Sequence, residues 1–280
     1  MRIGFIGAGK VGTSFGALLK LKGQEISGYY SRSQKSIEHA CEITGSTPYS
    51  TLEAVIKDSD WIGITVQDDQ IEQVVAEITS LPQYRQLCQS KTFFHMSGAT
   101  TVDVLKPLKT DIFSLHPLMA FPSYKTQLED WSNTFITVEN PNTSVRSWLP
   151  KLGLNTLEIE SSQKVKYHTA AVVASNYLVT LMDFAINELE FIGIDRESGF
   201  KALLPLVEGT LNNIQALGTK KAITGPIVRG DVKTVKSHLE ALEPEPKELY
   251  RLLGRHTLQL ISEANPMMVH LLEEDDACQK

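Results

Sequence analysis

Three glycines at the head of the chain offer the first chemistry. Residues 7–12 read GAGKVG, with Gly7, Gly9 and Gly12 in a GxGxxG spacing. The apolar run Ile3-Gly4-Phe5-Ile6 precedes them and an amphipathic helical pattern follows. In that setting the first glycine makes a tight turn, the second lets the backbone approach a pyrophosphate, and the third allows a helix to pack close on the sheet. The N–H groups at the helix start attract phosphate charge. Gly7, Ala8, Gly9, Lys10, Val11 and Gly12 are therefore predicted to bind a dinucleotide.

A dinucleotide site of this kind usually offers Asp or Glu to the ribose about twenty residues further on. Here the chain reads Tyr29-Tyr30-Ser31-Arg32-Ser33-Gln34-Lys35, with two cations, two serine hydroxyls and no carboxylate. A guanidinium suits a 2′-phosphate through a forked, charge-assisted contact. The expectation is NADP(H) over NAD(H), with Arg32 and Ser31 as the main discriminators and Ser33 and Lys35 beside them. A loop at a later strand end, Val66-Gln67, is placed to contact the cofactor ribose through its backbone, while Asp68 and Asp69 are read as solvated or capping the helix from Ile71.

Further polar residues cluster around two strand ends and one helix. His95-Met96-Ser97-Gly98 and His116-Pro117 each end a strand candidate. Two histidines at the carboxyl ends of neighbouring parallel strands would face one crevice, and histidine exchanges protons near neutrality. His95, Ser97 and His116 are expected to position a substrate. Lys164 and His168, four apart, share a helix face, and Asn176 lies about 80° round from His168. Buried polar groups must find partners, so a catalytic face on this helix competes with a structural one. In Thr224-Gly225-Pro226-Ile227-Val228-Arg229-Gly230-Asp231, Asp231 reads as an N-cap; Arg229 either pairs with it or holds an anionic substrate.

Two kinds of element must carry these residues. Up to about residue 160, strand candidates (Arg2–Ile6, Glu25–Ser31, Trp61–Val66, Thr92–Met96, Ile112–Leu115, Thr134–Glu139 and Thr156–Ile159) alternate with helical stretches (Gly12–Lys22, Ser33–Thr44 and Ile71–Leu81). That alternation predicts an α/β Rossmann domain with a parallel sheet and helices on both faces. Beyond it the pattern is helical: Lys164 to Phe191, Glu197–Leu217, Asp231–Leu242 and Lys247–Ala264. The first is apolar nearly all round and is expected to be buried by other helices. The domains are set at 1–160 for cofactor binding and 161–280 for an all-α substrate and dimerisation domain. Residues 273–276 (EEDD) read as a frayed end.

The 280 residues fit two domains. With 27 Lys+Arg against 33 Asp+Glu, the net charge is −6, which disfavours nucleic-acid binding. Cys41, Cys88 and Cys278 form no CxxC; this argues against a disulfide framework or zinc site and fits a reducing, cytoplasmic setting. No run of ~18 consecutive apolar residues predicts a membrane helix, and the opening residues lack a signal-peptide pattern.

Four separated motifs give the whole chain a resemblance. They are His95-x-Ser97-Gly98; Leu115-His116-Pro117; Lys164-x-x-Tyr167-His168-x-Ala170-Ala171 with Ala174-Ser175-Asn176-Tyr177; and Thr224-Gly225-Pro226-Ile227-x-Arg229-Gly230-Asp231. With the GxGxxG domain, the chain resembles Rossmann-like proteins carrying the domain of unknown function 2520. These are similar to the 6-phosphogluconate dehydrogenase-like group, with its ketopantoate and pyrroline-5-carboxylate reductases. The resemblance implies hydride transfer between NADP(H) and a small carbonyl, hydroxy-acid or imine substrate, and a homodimer through the helical domain. In the β-hydroxyacid dehydrogenase relatives a helix lysine with an Asn one turn later does the acid–base work. Lys164 falls at the lysine position and His168 at the Asn position, so the resemblance implies that Lys164 protonates or polarises the developing alkoxide while His168 orients it or shares the proton, the histidine being a departure that leaves the split of roles open. An F420-dependent NADP oxidoreductase and a non-catalytic NADP(H) sensor are the alternative functions.

Overall fold

The computed structural model describes residues 1–121, 123–124 and 131–273; Cys278 and most of the EEDD run lie outside them. Two compact units result, Met1–Asn176 and Tyr177–Lys280. The boundary thus falls later than residue 160, because the first turns of the long helix pack with the sheet unit.

The first unit follows the predicted alternation. Its elements are β1 (Arg2–Ile6), α1 (Lys10–Leu21), β2 (Glu25–Tyr30), α2 (Gln34–Thr44), β3 (Thr47–Pro48), α3 (Leu52–Lys57), β4 (Trp61–Ile64), α4 (Ile71–Thr79), α5 (Tyr84–Cys88), β5 (Thr92–His95), β6 (Asp111–Pro117), β7 (Phe135–Glu139), α6 (Thr143–Trp148) and β8 (Asn155–Ile159). They form one sheet in the order β3-β2-β1-β4-β5-β6-β7-β8. Strands β1 to β6 pair in parallel, so Ile6, Ile64, His95 and His116 all approach the same edge. The order reverses beside β1, at the switch point where ligands bind in open α/β sheets.

One pairing corrects the parallel expectation: β7 runs antiparallel to β6, with Ser114 opposite Glu139 and His116 opposite Thr137. Apolar side chains on both faces explain why the strands read as continuous hydrophobic runs. One face packs around Phe5, Phe15, Phe94, Phe113 and Trp148, with Phe94 stacked on Phe113 at 5.1 Å. Ile62, Ile64, Val75, Ile78 and Phe93 belong to a second cluster.

The long helix α7 (Lys164–Phe191) begins in the first unit and continues into the second. There follow α8 (Arg196–Leu217), α9 (Thr219–Ala222), α10 (Val232–Ala241), α11 (Pro244–Leu258) and α12 (Pro266–Glu273). Asp195 and Asp231 cap α8 and α10 by accepting from Ser198 and Thr234 N–H. A small core of Val235, Leu239, Met268 and Leu272 holds the second unit. Among the described residues the expected burial of the long apolar helix does not occur: Val179 is 69% exposed, Phe191 80% and, on α8, Leu206 67%. Ser161–Phe191 includes an 18-residue window of mean hydropathy 1.5, enough by length and composition to cross a membrane; soluble core helices meet the same test.

Candidate active site

The glycine turn has the geometry its spacing predicts. Gly7 sits at φ +107°, where a Cβ would fall 2.6 Å from the Thr65 carbonyl carbon. Its N–H donates to Tyr30 O at 2.7 Å, and Thr65 Oγ1 donates to Gly7 O at 2.8 Å. A Cβ on Gly12 would collide with Thr65 Oγ1, so glycine is what lets α1 lie against β4's end. Gly9 differs, since a Cβ there would have only Thr65 O for company, at 3.9 Å. No side chain caps α1, and its first turn carries no acid, whereas α2, α3 and α8 are capped by Ser33, Thr51 and Asp195. An open cradle before an uncapped, positively polarised helix end fits a pyrophosphate.

A cleft of about 250 Å³ opens on this turn, lined by Gly7, Ala8, Gly9, Ser31, Arg32, Val66 and Gln67 among others. Arg32 Nη2 donates to Gln70 Oε1 at 3.0 Å, tying the β2 end to the turn after β4. The remaining residues expected in the site have other positions. Val11 packs against the core and Gly12 is taken up in helix–strand packing. Ser33 caps α2, accepting from Ser36 N at 3.3 Å. Lys10 and Lys35 are exposed and lie outside the cleft lining. Asp68 and Asp69 are exposed and do not cap α4, whose N-cap is Gln70. Tyr30, Ser36, Gln70 and Gln73 line the cleft too; no spacing rule points to them.

At the same sheet edge the strand-end histidines diverge. His95 is fully buried. Its Nδ1 accepts from Ser97 N at 3.2 Å, so its Nε2–H must donate to Thr101 O at 3.3 Å. Burial and the Lys164 charge push its pKa down to about 3. Ser97 Oγ accepts from Ala99 and Thr100 N–H at 3.2 and 2.9 Å. Both residues are thus engaged in shaping the 97–101 loop rather than facing an opening.

His116 is half-buried and meets the first turns of α7. Its Nδ1 lies 2.7 Å from Tyr167 Oη, and its ring stands edge-on to His168, centroids 5.7 Å apart. Burial, His168 and Lys164 lower its pKa to about 4. Burial also raises that of Tyr167, so at neutral pH the pair is a phenol beside a neutral imidazole. His168 Nδ1 is buried with no hydrogen-bond partner among the described residues. A Cβ on Gly98 would stand 2.5 Å from that atom and 2.7 Å from His116 Nε2. Glycine here is what lets both rings close over the loop.

Lys164 is 1% exposed. Its Nζ donates to Ser114 Oγ at 2.6 Å and Glu139 Oε2 at 2.8 Å. Glu139 accepts in addition from Ser114 Oγ (2.9 Å), Ser161 Oγ (2.6 Å) and Val102 N (3.0 Å). Burial pushes the lysine down, opposed by Glu139 and Asp68. Burial would raise Glu139, but the bonds from Lys164, Ser161 and Val102 outweigh it and hold the carboxyl below its usual range. Asn176, also expected in the site, is exposed about two turns beyond His168. Tyr167, Ser114 and Glu139 were not singled out by spacing. Tyr167 carried one available signal: it is three residues from Lys164, on the same helix face.

Residues 1–119 match the family model described as a Rossmann-like domain, and residues 136–257 match that of the domain of unknown function DUF2520. The chain is a Rossmann-like α/β protein with a helical C-terminal region. More particularly, the DUF2520 match takes in two of the four motifs, those at 164–177 and 224–231, while the other two fall within the Rossmann-like match. No curated protein matches by sequence. Among solved structures, protein BF3122 of Bacteroides fragilis, provisionally described as an NADP oxidoreductase, has 23% identity and TM-score 0.73, covering 92% of this chain and 98% of its own. An imine reductase of Myxococcus stipitatus in complex with NADP+ has 14% identity and TM-score 0.65, over 98% and 100%. A pyrroline carboxylate reductase of Plasmodium falciparum with NADP bound has 14% identity and TM-score 0.62, over 93% and 98%. At these identities the likeness establishes the fold.

Proposed function

We propose that the chain is an NADP(H)-dependent reductase of small carbonyl or imine compounds. One observation carries the reading: an open glycine cradle and a Tyr167–His116–His168 cluster lie at the same edge of one sheet, within one unit. The names of the imine reductase and pyrroline carboxylate reductase of like fold support it. NADPH, when bound, supplies the hydride. Gly7, Ala8 and Gly9 would hold its pyrophosphate, with Ser31 and Arg32 beside the 2′-phosphate.

The protein's own task is then to deliver one proton to the oxygen or nitrogen left with the electron pair. Tyr167 is the assigned donor. Its raised pKa keeps it a phenol at neutral pH, and His116, 2.7 Å away through Nδ1, is placed to reprotonate it by passing on its Nδ1 proton as Nε2 takes one up from solvent. His168 closes the other side of the His116 ring.

The reading includes a homodimer through the second unit. Tyr177, Val179, Phe191, Leu206, Leu211 and Leu217 are more than half exposed. Patches of this kind mark interaction surfaces, and a stable interface needs about 800 Å² from each partner. Paired binding isotherms of NADPH and NADH, followed by NADPH absorbance with cyclic imines and keto acids, test the function. Tight NADPH binding with substrate-dependent oxidation is expected. Stable binding without oxidation across the panel overturns the reductase in favour of a binding protein.

A further inference from the structure

Lys164 occupies the position at which the resemblance puts an acid–base lysine, yet its surroundings point elsewhere. Glu139 and Ser114 hold its ammonium at 2.8 and 2.6 Å. Glu139 is in turn saturated by Ser114, Ser161 and the Val102 N–H. Both charged side chains are 2% exposed. An ammonium enclosed in this way has no free direction in which to meet a substrate.

The sheet explains what the enclosure does. Antiparallel pairing of β6 and β7 makes two rungs on one face, Ser114 opposite Glu139 and, two residues along, His116 opposite Thr137. Alternate residues of a strand are about 6.7 Å apart. On the helix above, Lys164 and His168 are about 6 Å apart along the axis. When Lys164 is locked on the first rung, Tyr167 and His168 come to rest on the second, over His116. The observed contacts are those: Tyr167 Oη with His116 Nδ1 at 2.7 Å, and the His168 ring edge-on to His116.

We infer that Lys164 and Glu139 form a register pin, a positioning pair that sets the start of α7 on the sheet and so aims Tyr167 and His168 at His116, while the proton passes through Tyr167. The inference rests on the proposed reductase only for the destination of that proton; the pin itself is independent of it.

Three variants test it: K164M, E139Q and the double K164M/E139Q. Histidine-labelled nitrogen NMR reads the Tyr167 hydrogen bond at His116 Nδ1 without any substrate, and turnover is read where the panel has yielded one. A pin predicts that either single variant, left with a buried unpaired group, loses the His116 signature and about a hundredfold in kcat with KM little changed. The double variant, freed of the unpaired charge but lacking the pin, folds and still lacks the His116 signature. If K164M folds and keeps the His116 signature, the pin is refuted. It is equally refuted if the double variant recovers the signature, since the register would then hold without the pair. Should the single variants fail to fold, the wild-type protein decides. A pinned Lys164 gives a solvent-protected ammonium signal at pH 7 that NADP+ does not move, and a neutral amine or a cofactor-responsive signal overturns the proposal. Absence of turnover in the wild type would count against the reductase alone, leaving the NMR result to judge the pin.

Discussion

Gly98→Ala is the sharpest single test of the histidine cluster. The added Cβ would lie 2.5 Å from His168 Nδ1, 2.7 Å from His116 Nε2 and 2.9 Å from His116 Cε1. Ordinary van der Waals contact begins near 3.4 Å, so the two rings together must retreat by about 0.7–0.9 Å or rotate. Both imidazoles are side-chain ends that can yield, so the stability cost belongs at the low end of overpacking, about 1 kcal/mol. Geometry suffers more, because a misplacement of about 1 Å at reacting groups can cost about a hundredfold in rate. Gly98 is not among the residues lining the glycine-turn cleft, so NADPH affinity should stay within about twofold, far below the effect of losing a charge-assisted contact. Three assays separate these quantities: thermal midpoint, NADPH fluorescence titration, and kcat/KM on an imine or keto substrate found in the panel. An alanine variant with undiminished turnover would refute the role of the His116–His168 contact, whatever its stability.

Other consequences can be measured on the same protein. Arg32→Asp should weaken NADPH about ten- to a hundredfold and spare NADH, the loss of one charge-assisted contact; equal losses by titration count against Arg32 as discriminator. His116 has a folded pKa near 4 against about 6.5 unfolded, so the unfolded chain binds the extra proton first. Stability is then fully present above pH 6.5 and declines as pH falls to 4, by about 3 kcal/mol for this residue. Thermal midpoints across that range should fall steeply, and His116→Gln should flatten the curve. Val179→Glu combined with Leu206→Glu should halve the mass seen by sedimentation; a wild-type monomer, or an undisturbed dimer in the variant, counts against the helical interface.

The cofactor half was legible because its signals are local. A glycine turn between an apolar strand and a helix needs only neighbouring residues, and Asp231 likewise caps its helix from a position the sequence marks directly. β3 escaped because two residues, Thr47–Pro48, carry no period. The reversal of β7 escaped because alternation reports burial but not strand direction. Glu139 and Ser114 lie 25 and 50 residues from Lys164, and nothing in the spacing couples them. His95 and Ser97 were read as open to a crevice because a strand end says where a residue is, not whether the next four residues will fold over it. The apolar length of α7 was visible, but periodicity does not say that residues such as Val179 stay exposed among the described residues.

The reversal of β7 also bears on how this protein can be recombined. Because that strand returns a carboxylate to the level of Ser114, the sheet's last contribution to the site comes from a helix turn at residues 164–168. The compact unit that holds these groups is therefore Met1–Asn176, not the segment that ends where the strands do. A chimera spliced at residue 160 would import a foreign lysine position against a native Glu139, and its defect would surface in proton delivery while cofactor affinity stayed intact. Grafts intended to exchange substrate range should be cut beyond Asn176, where the pin, the phenol and both imidazoles travel together.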